Sequence, residues 1–190
     1  AAGTTLTMSS GDTLTLTGTT TFAGSTAGPG TLSFSGGTET FDADASFGSA
    51  LAIHSAAKVS LGGSVSVAGA LSQAAGTSIA IAAGSTLTLS GTGSAFAGAV
   101  TGTGTLAFSG GTDKLSAGTS LAVSDLSLSS GATASLAWSL AYAGDLSEAA
   151  GTTFALNSYA LTLSGAGSTI AGAGHRRRRA DIFGRQPGVR

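Results

Sequence analysis

The side chains in this chain that could do chemistry are few and scattered. Glu39, Asp42 and Asp44, in the run GGTETFDAD, could offer hard oxygen ligands to Ca²⁺. The counterpart run GGTDKLS, Gly110 to Ser116, keeps only Asp113, so a solvated acidic corner is expected there and no metal site. His54 and His175 lie far apart and lack the spacing of a metal pair or a triad. Serine and threonine abound, but no GxSxG elbow is present, and outward strand positions account for the hydroxyls. A polysaccharide-cleaving pair of carboxylates would need a cleft rich in aromatic and basic groups, which the body of the chain nearly lacks. The expectation is a non-enzyme without catalytic residues or cofactor.

Two features suit binding better than catalysis. Thr13, Thr15 and Thr17 in TLTLT, with Thr86 and Thr88 in TLTL, alternate with leucine and could form a flat threonine array of the ice-binding kind. Such strands return only about every 75 residues in the sequence, with LSFS and SVSVAG between them, which weakens that reading. In LAWSLAY, residues 136–142, alternation puts Leu136, Trp138, Leu140 and Tyr142 on one face. That face is expected to be core, with Trp138 the one candidate for stacking on a sugar.

The elements that must carry these residues are short strands. Large apolar residues recur as alternating pairs such as Leu32 and Phe34, Leu51 and Ile53, Val65 and Val67, Ile79 and Ile81, and Leu106 and Phe108. That is the period-two pattern of a strand with one buried face, and glycine-bearing runs such as SSGD, AAGS and SGG separate the pairs. Nothing shows 3.6-residue spacing, and the 31 glycines argue further against helix. With 42% hydrophobic residues, many of them alanine, and no cysteine, the chain can fill only a narrow core and forms no disulfide. No apolar run is long enough for a transmembrane helix.

Internal repetition selects the architecture. AGTTLTMSSGDTLTLTG at Ala2 to Gly18 lies over AGTSIAIAAGSTLTLSG at Ala75 to Gly91 and AGTTFALNSYALTLSG at Ala150 to Gly165. GPGTLSFSGG at Gly28 matches GTGTLAFSGG at Gly102 at eight of ten positions, and LSQAAGT at Leu71 returns as LSEAAGT at Leu146. A period near 75 residues is longer than one solenoid turn. Apolar pairs about 8 to 10 residues apart predict three strands per coil and about 25 residues per coil, three coils to a repeat. The expected fold class is all-β, a parallel β-helix or β-solenoid, over residues 1–174.

At GTGTLAFSGG, GPGTLSFSGG and the TLTLSG elements, the chain resembles the glycine-rich repeats of autotransporter passenger domains, the secreted β-helical arms of Gram-negative surface proteins. The resemblance covers residues 2–173 and implies a secreted or cell-surface location and a non-catalytic role as scaffold or adhesin stalk. A host-surface or matrix component is the implied partner, and no nucleic acid is expected. The alternatives are a fibre subunit associating end to end through open strand edges, or a solenoid binding ice or carbohydrate.

The last sixteen residues, His175 to Arg190, break the pattern. All six arginines lie there, so the tail carries +5 against −6 for residues 1–174. An electrostatic arm is one reading, but a disordered or non-native terminus is favoured because the composition changes in mid-repeat.

Overall fold

The computed structural model describes residues 3–43 and 45–172, so Asp44 and the Arg-rich tail lie outside the described residues. Within them the chain winds as a parallel β-solenoid of about 8 turns. The first turn is β1 (Thr5–Thr7), β2 (Thr13–Leu16) and β3 (Thr20–Phe22); the second is β4 (Ser25–Ala27), β5 (Thr31–Ser35) and β6 (Thr38–Phe41). The third is β7 (Ser46–Phe47), β8 (Ala50–His54) and β9 (Lys58–Leu61); the fourth is β10 (Val65–Val67), β11 (Leu71–Gln73) and β12 (Ser78–Ile81). The fifth is β13 (Thr86–Leu89), β14 (Ala95–Phe96) and β15 (Ala99–Gly102); the sixth is β16 (Thr105–Phe108), β17 (Thr112–Leu115) and β18 (Ser120–Ala122). The seventh is β19 (Asp125–Leu128), β20 (Thr133–Leu136) and β21 (Leu140–Tyr142); the eighth is β22 (Asp145–Glu148), β23 (Thr153–Ala155) and β24 (Leu161–Leu163), followed by β25 (Thr169–Ile170).

Each of the first six turns contributes one strand to each of three walls. Wall one is a nine-stranded sheet from β1 to β25, wall two an eight-stranded sheet from β2 to β23, and wall three a six-stranded sheet from β3 to β18. A separate pair, β21 with β24, takes the third position in the last two turns. Nine rungs at about 4.8 Å give wall one a length of about 38 Å.

The turn is shorter than the sequence spacing suggests, at about 20 residues rather than 25. Leu106 pairs with Leu126 and Leu126 with Leu146, each 20 residues on. Many strands hold at most one large apolar residue, among them β4 (STA), β7 (SF) and β14 (AF), so they do not show as alternating pairs and the spacing between visible pairs overstates the turn.

The shorter turn puts the sequence repeat out of step with the coil. β2 and β13 carry equivalent TLTL segments, and β13 lies eleven strands further along, which is three full turns and two walls. Equivalent segments therefore stand in different walls: β2 in wall two, β13 in wall one, and the next copy, β24, in the third position.

The core is a thin apolar tube. Leu32, Leu51 and Leu71 stack in register in wall two, and Val59, Ile79 and Val100 in wall three, all nearly fully buried. Phe22, Phe34, Phe41 and Phe47 fill its first three turns, with ring centroids 4.8 to 5.1 Å apart. Successive turns close on one another at glycine corners. At Gly37 (φ +81°) and its repeat equivalent Gly111 (φ +67°), a Cβ would run into the backbone of Gly18 and Gly91 one turn away. Among the described residues, the exposed large apolar side chains are Leu14, Tyr159 and Ile170, all in the first turn or the last described ones.

Candidate functional site

The outer surface of wall one presents the most regular array of polar groups. In a strand, alternate residues face outward, and parallel pairing in register stacks the same position of every turn into a column. Thr5, Ser25, Ser46, Ser66 and Thr88 form such a column without a break. After Ala107 it resumes with Ser127, Ser147 and Thr169. Thr5 Oγ1 and Ser25 Oγ are 2.7 Å apart, so at this end the hydroxyls bond along the column. A shallow open groove of about 280 Å³ lies on it, lined by Ala45, Ser64, Val65, Ser66 and Thr88. Its hydroxyls could bond a neutral polar ligand, and none of its lining residues carries a charge.

The sequence-derived candidates fall elsewhere or apart. Thr13 and Thr15 are exposed on β2 in wall two, Thr17 follows that strand, and Thr86 and Thr88 are half-buried on β13 in wall one. The structure does not bring these five threonines together. Only Thr88 joins the hydroxyl column, through Ser66.

The acidic corner is solvated only in part, at Asp42, and not at Glu39 or Asp113 as the sequence suggested. Glu39 is 0% exposed, turned into the tube beside Val59, where its Oε2 accepts a hydrogen bond from Thr20 Oγ1. Asp113 is 2% exposed. Asp42 lies exposed just past β6, so Glu39 and Asp42 face opposite sides of the wall. Among the described residues no three His, Cys, Asp or Glu gather as a metal site would require.

Sequence parity could have shown this. Glu39 stands two residues before inward Phe41, and Asp113 two before inward Leu115. Gln73 and Glu148 are a second repeat-equivalent pair turned inward, in LSQ and LSE. The interior thus holds polar groups at fixed places in the repeat.

Leu136, Leu140 and Tyr142 of LAWSLAY are core, but the run bends round a corner, with Leu136 on β20 in wall two and the other two on β21. Trp138 sits at that corner, partly buried against the core, its indole N–H without a hydrogen-bond partner. His54 gains partners that the sequence did not reveal: Nε2 is 2.7 Å from Ser33 Oγ and Nδ1 is 2.9 Å from Ser55 Oγ. With hydroxyls on both nitrogens, no carboxylate orients the ring as a triad requires.

A scan against protein-family models, a search of curated proteins and a search of solved structures return no match for this chain. Among the described residues no helix is long and apolar enough to cross a membrane.

Proposed function

We propose that the chain is a rigid, non-catalytic spacer in an extracellular scaffold or adhesin stalk, with wall one as its contact face. The observation that carries this reading is the unbroken parallel ladder of wall one, whose nine strands run the length of the described rod. Each turn takes its hydrogen bonds and apolar contacts from its neighbours, so added turns add length and no other property. The glycine-rich repeats similar to autotransporter passengers, together with the absence of cysteine, support a place on the Gram-negative outer surface. Displaying the chain between a cell anchor and a target-binding peptide tests the role. Residues 106–125 form one turn in register, and bead capture is expected to fall as such turns are deleted. Capture independent of turn number would overturn it.

A second reading, binding of a neutral carbohydrate, is favoured by the groove at Ser64, Ser66 and Thr88. A glycan array probed with wild type and with Ser66→Arg tests it; signal equal in both would remove the groove from consideration.

A further inference from the structure

Asp113 is the buried acid best placed to respond to solution conditions. It lies on β17 in the sixth of the turns, with described turns on both sides. Its Oδ1 accepts the Ser94 N–H at 2.8 Å, joining wall two across the fifth and sixth turns, and its Oδ2 has no partner. In register with it stand Ala134 above and, through that hydrogen bond, Ser94 below.

No charge faces it from the packed elements. β14 and β20, its ladder neighbours, carry no titratable residue, and neither do β15, β16 or β18 across the tube. Lys114 on its own strand and Asp125 on β19 are exposed on the outer surface. Burial therefore pushes the Asp113 carboxyl up from its usual range, with the Ser94 hydrogen bonds pulling the other way.

We propose that the turn holding Asp113 is a pH-dependent opening point of the rod, tightest when this carboxyl is neutral and first to give way when it ionises. An ionised carboxylate there would keep one oxygen unsolvated in the tube, a cost that is relieved by separating β17 from β14 and admitting water. The sign follows from linkage. A group held neutral in the fold contributes full stability below its unfolded value, about pH 3.9, and loses it as pH rises through the raised folded value. This holds whether the rod serves as spacer or as binder.

Hydrogen exchange of the full chain, followed by mass spectrometry from pH 4 to pH 8 and corrected for intrinsic rates, tests the proposal. In wild type, protection of residues 112–115 relative to residues 71–81 is expected to fall about tenfold for each unit by which the carboxyl is shifted. In Asp113→Asn that ratio is expected to stay flat, and in Asp113→Ala it is expected to be lower than wild type at pH 4 and equally flat. A ratio constant with pH in wild type, or a slope that persists in either variant, would overturn the assignment.

Discussion

Glu39 and Asp113 occupy the same place in the sequence repeat, yet one lines wall three and the other wall two of the rod. Both are buried, and each is tied to the turn before it, Glu39 through the Thr20 hydroxyl and Asp113 through the Ser94 amide. The same short segment, T-E/D-x-F/L, thus builds a different wall each time it recurs, because inward or outward direction depends only on strand parity.

Tyr142 is 1% exposed, its hydroxyl donating to the Val123 carbonyl at 3.3 Å. Burial, followed by the nearby Asp125 and Asp145 carboxylates, raises its phenol far above the ordinary value. The folded form therefore keeps the proton, and the stability this gives is present below about pH 10 and lost as the unfolded phenol ionises above it. Tyr142→Phe is expected to cost about 1 kcal/mol at pH 7 and to narrow that deficit above pH 10, as measured by urea titration across that range.

Gly111→Ala is expected to destabilise strongly, by roughly 3 kcal/mol or more, because the new methyl meets the Gly91 carbonyl in the neighbouring turn as well as an unfavourable φ. Gly76→Ala shares the positive φ (+78°) but has open space around it, and should lose only about 1 kcal/mol. Equal losses in thermal melts of the two variants would refute the close approach of turns.

Ala56 is held at φ +61°, beside Ser55 at +56°, in the turn after His54. An L-residue is strained there and glycine is not. Ala56→Gly should raise stability by about 0.5 kcal/mol, a rare gain from removing a methyl, visible as a shift in denaturation midpoint.

Phe108 is fully buried against Phe96, with centroids 6.1 Å apart. Phe108→Ala is expected to cost about 3–5 kcal/mol, whereas Ser127→Ala in the outer column should change stability by less than about 0.5 kcal/mol. Calorimetry separates the two; comparable losses would contradict the inside–outside assignment of wall one.

Much of this fold was legible in the residues. Leu51 with Ile53, Val65 with Val67, and Ile79 with Ile81 announced buried faces by alternation, and all six are core. The turn length was not legible. It depends on strands such as Ser46–Phe47, which are held by backbone pairing to both neighbours and show almost no apolar signature. The hydroxyl column was hidden for a related reason: Ser46, Ser66 and Thr88 come together only once the register of three turns is known.

The mismatch between eleven strands and a three-walled coil has a bearing on growth of the molecule. A gene that lengthens by copying this block extends the rod by three and two-thirds revolutions. Equivalent positions of successive copies are then carried round the axis into different walls. Simple duplication thus lengthens the rod without setting the same segment in every rung of one wall, the arrangement in which identical strands pair into ordered aggregates.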